Sequence, residues 1–230
     1  SLEFRRGEFT VLLGPSGAGK STLLKQFTRM LDPPAGTLFL DDIDVREYPL
    51  ALLRSQIAQV LQDPFLFGEP LRNNISYDDP ERALEFIWES ADSAALRGTI
   101  EEFPKQMETL VGERGVTLSG GQKQRTTLAR GLIRDSAVLI LDDCFSSVDT
   151  ETEEHILSRL KQLRDGKTTI LVSHRVSTLR HTDRIVVLEE GRIAEQGTHH
   201  QLLDLDGIYA ELERLQTQGM SPAKPAAEPV

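Results

Sequence analysis

Two stretches of this chain carry the glycine-dense pattern of a phosphate grip, and they differ in kind. In the first, Gly14-Pro15-Ser16-Gly17-Ala18-Gly19-Lys20-Ser21-Thr22, the glycines let backbone N–H groups turn inward around a phosphate. A helix starting behind them adds its positive end. Lys20 is then placed to reach the β- and γ-phosphates of a nucleoside triphosphate, and the Ser21 hydroxyl to ligate Mg²⁺. The second stretch, Leu118-Ser119-Gly120-Gly121-Gln122, stands at the mouth of a predicted helix. Ser119 can cap that helix, and two consecutive glycines leave N–H groups bare to meet an oxyanion. Each stretch looks like half of a site, which predicts two such domains packed head to tail.

Further polar residues sit where strands are predicted to end. Asp142 and Asp143 close the apolar run Val138 to Leu141. A buried strand that delivers a carboxylate beside a P-loop predicts Asp142 as a holder of Mg²⁺, directly or through water. Asp143 then stands where a carboxylate would orient and deprotonate an attacking water. Gln62 ends the strand read over 57–61 and is placed to touch the metal or the water. His174 follows the strand 168–172 and can donate a hydrogen bond to a γ-phosphate. His155, His181, His199 and His200 have no strand-end context and read as surface or capping residues.

The elements that must hold these groups alternate. Strand 9–13 feeds the P-loop and helix 21–30 follows it, with Leu23, Leu24 and Phe27 on one face. Strand 37–40 runs into an Asp41-Asp42 turn. Helical character fills 63–135, where Asp79-Pro80 is expected to cap a helix carrying Ala83, Phe86, Ile87, Ala91 and Ala94, and a second helix runs from Ser119 to Arg134. Strand 138–141, helix 151–164, strand 168–172, a hairpin over 184–195 and a last helix over 201–216 complete the pattern. The fold class is therefore α/β, with a mostly parallel sheet covered on both faces. Ligands bind such sheets outside the carboxyl ends of the strands. The last ten residues hold three prolines and no aromatic residue, and 216–230 are expected to be disordered.

The chain has 230 residues, enough for one well-buried α/β domain, and its 39% hydrophobic and 27% charged content suits a globular protein. No stretch approaches the roughly 20 apolar residues that span a bilayer. A net charge of −10, from 36 acidic against 26 basic residues, disfavours a nucleic-acid partner. The single cysteine, Cys144, excludes an internal disulfide and reads as packing.

The P-loop, Gln62, the Leu118 to Gln122 signature, the strand ending in Asp142, Ser147-Val148-Asp149 and His174 stand in the order of an ATP-binding cassette (ABC) domain, which the chain resembles over roughly residues 4 to 215. Val111-Gly112-Glu113-Arg114-Gly115 and Gln62-Asp63-Pro64-Phe65-Leu66-Phe67 look like the exporter subclass, in which both stretches lie near the coupling helices of the membrane domain. The resemblance implies a P-loop NTPase (RecA-like) core over 1–62 and 136–215, with a small antiparallel β subdomain, and a helical subdomain over 63–135. It implies ATP and Mg²⁺ as cofactors, and a second nucleotide-binding domain and transmembrane domains as partners, at the cytoplasmic face of a membrane. Ser119, Gly120, Gly121 and Gln122 would then meet the partner's ATP, and Asp149 would line the seam between the two sites.

Two departures matter. Where the family usually has Glu after the acidic strand end, this chain has Asp143, one methylene shorter. Setting a catalytic group back by about an ångström can cost on the order of 10²-fold in rate. Slow hydrolysis is expected, as in the weakened half of heterodimeric exporters. The family also stacks adenine on an upstream aromatic residue, and here that strand and the transmembrane helices are expected to precede Ser1. Two other readings share the signature. A soluble DNA-repair or chromosome-organising ATPase would need coiled-coil arms, and an import-type cassette would lack the exporter-like stretch.

Overall fold

Apolar strands that alternate with helices bury both faces of a sheet when the strands run parallel. The computed structural model describes residues 1–112, 116–173, 175, 176, 179 and 182–218. Its main sheet has six strands: β4 (Ile57–Val60), β5 (Val138–Asp142), β6 (Thr168–Val172), β1 (Phe9–Leu13), β7 (Arg184–Glu189) and β8 (Arg192–Gly197), in that spatial order. All neighbours are parallel except β7 and β8. A separate antiparallel ribbon joins β2 (Phe39–Leu40) to β3 (Ile43–Asp44). Its turn is made by Asp41 and Asp42, both in the left-handed region at φ 46° and 64°.

Side chains on a strand alternate between faces, and the core divides accordingly. Leu139 and Leu141 of β5 join Val11, Leu13, Val60 and Leu171 in one cluster. Ile140 joins Leu12, Ile170 and Val172 in the other. The second cluster is covered by Leu24 of α1 (Lys20–Phe27) and Leu53 of α2 (Leu50–Gln56). The first is continuous with the stretch between β4 and β5, which carries α3 (Leu71–Ile75), α4 (Leu84–Ser93), α5 (Arg97–Glu101) and α6 (Gly120–Leu132). The later helices are α7 (Thr150–Leu163), α8 (His199–Leu205) and α9 (Ile208–Thr217).

Several boundaries differ from the sequence reading, each for a local reason. The helix expected at Asp79-Pro80 starts four residues later, at Leu84, because the Asp79 carbonyl closes a turn with the Arg82 N–H at 3.2 Å. Ile87, Ala91 and Ala94 are buried as expected, whereas Phe86 is 55% exposed. The last helix is two helices, α8 and α9, broken at Asp206-Gly207. The carboxylate of Glu195 accepts from the Ile208 and Tyr209 N–H groups and caps the second of them. That helix continues to Thr217, so Gln216 and Thr217 are helical, and the rest of the expected tail from 219 lies outside the described residues. Strand β4 stops at Val60, which leaves Gln62 two residues beyond it in a loop. Helix α2 runs straight into β4 with no breaker between them, and it has no counterpart in the sequence reading.

Helix α6 lies unusually close to the sheet. A Cβ at Gly131 would stand 2.5 Å from Val60 Cγ2, so the absence of a side chain there sets the distance between α6 and β4. Gly131→Ala should therefore lower the urea midpoint of the chain. A clash this short lies at the severe end of the roughly 1–3 kcal/mol cost of overpacking, above the helix-propensity gain of about 1 kcal/mol. Adding Val60→Ala should recover part of the loss, and equal, additive losses in the double variant would refute the close approach.

Candidate functional site

In the central strands Leu12 pairs with Val172, and Val172 pairs with Asp142, so β1, β6 and β5 end level with one another. The segments leaving those ends open into one crevice, lined by Ser16, Lys20, Ser21, Gln62, Asp142 and Asp143, with Gly17, Gly19, Thr22 and Val172 completing it. Gly14 starts the loop at φ 147°, and a Cβ there would overlap the Leu188 carbonyl, so the chain can turn here only without a side chain. Gly17 and Gly19 also have positive φ, while Pro15 and Ser16 are exposed and Ala18 packs into the core.

Lys20 is 7% exposed, and its Nζ donates to the carbonyls of Gly14 at 2.7 Å and Pro15 at 2.9 Å. Burial pulls its pKa down from the ordinary lysine value, opposed by the charges of Asp143 and Asp142. The Ser21 hydroxyl donates to Asp142 Oδ1 at 3.3 Å. A hydroxyl and a carboxylate converging beside a phosphate loop are the hard oxygen donors that Mg²⁺ takes, so the residues present fit that ion. Asp143 sits at φ 45°, its N–H donates to the Val172 carbonyl at 3.2 Å, and its Oδ2 accepts from Gln62 Nε2 at 3.2 Å. The structure thus brings Lys20, Ser21, Gln62, Asp142 and Asp143 together. His174, expected to face the same crevice, lies outside the described residues. Phe4 packs edge-on against Phe27 of α1, with ring centroids 5.6 Å apart.

The second glycine-dense stretch does not line that crevice. Ser119 caps α6: its Oγ accepts from the Gln122 N–H at 3.2 Å, and the Gln122 Oε1 accepts from the Ser119 N–H at 2.9 Å. Ser119 and Gly120 are exposed. The two glycines also answer a packing demand that the sequence did not reveal. A Cβ at Gly121 would lie 2.7 Å from the Ser147 carbonyl oxygen, and one at Gly120 would lie 3.1 Å from Ser147 Oγ. The turn Ser146 to Asp149 therefore rests directly on the start of α6. Asp149, expected at the seam between sites, is exposed and caps α7, accepting from the Thr152 N–H at 2.9 Å. Hydrogen bonds from the Thr152 backbone and side chain hold its carboxyl below the usual range.

Two groups around this turn went unread in the sequence. Gln124 is 3% exposed and bonds to Ser146 and Ser147. Arg175 donates to the carbonyls of Val148 at 2.7 Å and Ser146 at 3.4 Å, and to Glu153 Oε2 at 2.5 Å. Both are common polar residue types whose partners lie more than twenty positions away, and no local spacing signals them. Cys144 is buried, which raises its thiol well above the ordinary value, in keeping with a packing role. No cluster of His, Cys, Asp and Glu suited to a metal is found among the described residues.

Burial pushes the Glu153 carboxyl up from 4.5 to about 7, against the pull of Arg175, while the charges of Asp143 and Glu154 add to the rise. Its folded value exceeds its unfolded one, so folding takes up a proton between the two. The resulting stability is complete below about 4.5 and is lost as pH rises through about 7. Glu153→Gln should remove that dependence. The melting temperature of the parent chain, relative to the variant, is expected to fall between pH 5 and pH 8, and parallel curves would show that Glu153 does not titrate there.

The comparisons with known proteins agree with this geometry. A family model described as ABC transporter matches residues 1–146. The chain is 45% identical over 218 residues to the ATP-dependent lipid A-core flippase of Paraburkholderia xenovorans, covering 95% of this chain and 36% of the relative. It is 45% identical over 216 residues to a putative multidrug export ATP-binding/permease protein of Bacillus subtilis, covering 94% and 37% respectively. The structure of a bacterial Atm1-family ABC exporter with ATP bound superposes with a TM-score of 0.90 at 38% identity, covering 99% of this chain and 39% of that one. The chain thus spans less than two fifths of the length of these relatives. With strand order, crevice and sequence in agreement over nearly its whole length, the chain belongs to the ABC transporter family.

Proposed function

We propose that this chain is the ATP-binding and ATP-hydrolysing motor domain of an exporter, working at the cytoplasmic face of a membrane. The observation that carries the reading is the convergence of Lys20, Ser21, Asp142, Asp143 and Gln62 at the level ends of three parallel strands. The phosphate loop offers inward N–H groups and the Lys20 ammonium to the β- and γ-phosphates. Ser21 and Asp142, with Gln62, would hold Mg²⁺, which neutralises charge on the phosphate oxygens when bound. Asp143 orients a water for in-line attack and takes its proton, and Gln62 fixes the Asp143 carboxylate through their 3.2 Å hydrogen bond. His174 is proposed to donate to the γ-phosphate.

The exposed start of α6, Ser119 to Gln122, completes the site of a second nucleotide-binding domain packed head to tail, with Asp149 at the seam. The loop leaving Gln62 is suited to pass the motion on to transmembrane domains. Arg130 of α6 donates to the Phe65 carbonyl at 2.9 Å and the Asn74 carbonyl at 2.6 Å. Phe67 stacks on Tyr77 at 4.5 Å, and Gly112 lies against Phe67 and Gly68, so the two exporter-like stretches meet. Phe65 and Tyr77 remain 66% and 59% exposed beside a groove that Arg130 and Arg134 also line, a surface suited to a coupling helix.

The shorter carboxylate of Asp143 makes this chain's own site the slower one, and we propose that the partner is a non-identical chain with Glu in its place. In the assembled transporter, Asp143→Glu should raise ATP turnover at this chain's own site by on the order of 10-fold to 10²-fold. The measurement is steady-state ATPase activity with the partner's own site inactivated. An unchanged rate would refute the claim that Asp143 weakens the site.

A further inference from the structure

The turn that follows the acidic strand end is fastened from two sides by side chains that have no part in gripping phosphate. On one side stands Gln124, one turn into α6 and 3% exposed. Its Nε2 donates to Ser146 Oγ at 2.8 Å, and its Oε1 accepts from the Ser147 N–H at 2.8 Å. Both ends of one amide are thereby used on two consecutive residues of the turn. On the other side Arg175, which follows β6, holds the Ser146 and Val148 carbonyls and the buried carboxylate of Glu153. Gly120 and Gly121 press against Ser147 so closely that neither has room for a side chain without displacing it.

We propose that Gln124 is a positioning residue, which locks the Ser146–Ser147 turn to the start of α6 so that the two segments move as one body. The turn leaves β5 only a few residues after Asp143, in the half of the molecule that holds this chain's own nucleotide. The start of α6 carries Ser119 and Gly120, the half offered to the partner, so this inference rests on the head-to-tail reading. A displacement of the turn would be passed to Ser119 through the amide rather than absorbed by slack between two exposed segments. Ser146 and Ser147 are both exposed, so water can replace the amide's hydrogen bonds when Gln124 is changed. Losing the clamp should therefore loosen the joint without unfolding the domain.

The test uses the full-length transporter in its membrane-bound dimer. Gln124→Met keeps the volume of the side chain and removes both hydrogen bonds. Gln124→Glu keeps the acceptor for the Ser147 N–H and lets the Ser146 hydroxyl donate in its turn. Hydrogen exchange of the backbone N–H groups of 119–122 and 146–148 is expected to speed up in the Met variant and to return toward parental rates in the Glu variant. The kcat for ATP should fall by about 10-fold or more in the Met variant, with KM changed by less than about threefold, and the Glu variant should restore much of it. Unchanged exchange, or faster exchange with an unchanged kcat, would overturn the positioning role. If both variants lose kcat equally and melt at lower temperature, Gln124 is merely structural and the proposal also fails. The head-to-tail reading is checked apart from this, with Gln124 left intact. ATP-dependent cross-linking of Ser119→Cys to a cysteine in the partner's phosphate loop supports it, and its absence would overturn that reading while the exchange result still decides the clamp.

Discussion

The parallel ladder that joins β5, β6 and β1 in level register governs everything else in this molecule. Because Asp142, Val172 and Leu12 stand abreast, the chain segments leaving three strands meet at one depth. A one-residue slip would turn every side chain of a strand to the opposite face. Asp142 would then point into the apolar core, and Leu141 would line the crevice. The division of the core, with Leu139 and Leu141 on one side and Ile140 on the other, makes such a slip prohibitive. The hydrophobic pattern thus positions the carboxylate without contributing an atom to the site. It also sets the electrostatics: Lys20 is desolvated because the ladder brings apolar surface up to the loop, and the nearby carboxylates keep a buried cation tolerable. Under the proposed function, a triphosphate entering there meets Lys20 in a partly desolvated setting, where each hydrogen bond counts for more than it would at the surface.

Helix α6 is the second organising body. Its first turn carries Ser119 to Gln122, its second turn is fixed to the Ser146–Ser147 turn by Gln124, and Arg130 near its far end grips the loop that leaves Gln62. Gly131 lets the same helix sit almost on β4. One helix of thirteen residues therefore touches the exposed Ser119 to Gln122 end, the turn beyond Asp143 and the loop that leaves Gln62. Thr126, Thr127, Leu128 and Ala129 are buried along its length and pack it against the rest of the domain.

What could be read in the sequence follows from how local each signal is. Phosphate loops need glycines at fixed offsets, capped helices need Ser and Gln three apart, and a buried strand needs an unbroken apolar run. Lys20, Ser21, Asp142, Asp143 and the Ser119 cap follow those local rules, Gln62 stands in a loop beyond its strand, and His174 lies outside the described residues. Helices α2, α3 and α5 have only five to seven residues each. Too short to show a full helical period, they are held by tertiary packing rather than by propensity. The roles of Gln124, Arg130 and Arg175 were invisible because their partners are brought close only by the folded sheet. The need for Gly121 was read as an oxyanion demand, whereas the close approach of Ser147 is an independent reason for the same residue.

The same geometry explains why a missing methylene at Asp143 would persist as a functional deficit instead of being absorbed. Its N–H is held by the Val172 carbonyl at 3.2 Å, as a continuation of the β5–β6 ladder, so the backbone cannot advance toward the crevice to compensate. Its φ of 45° is one that aspartate tolerates better than most residues, so the conformation gives no drive to rearrange. Gln62 bonds the carboxylate from the loop side and fixes its direction. On the proposed reading, any reach lost in the side chain is lost at the attacked phosphorus. The rest of the machinery, including the signature end of α6 more than twenty residues away in sequence, is built on elements that Asp143 does not hold. On that same proposed reading, the Ser119 to Gln122 end keeps its form while the base falls short, and the inequality of the two halves becomes a property of one side chain rather than of the fold.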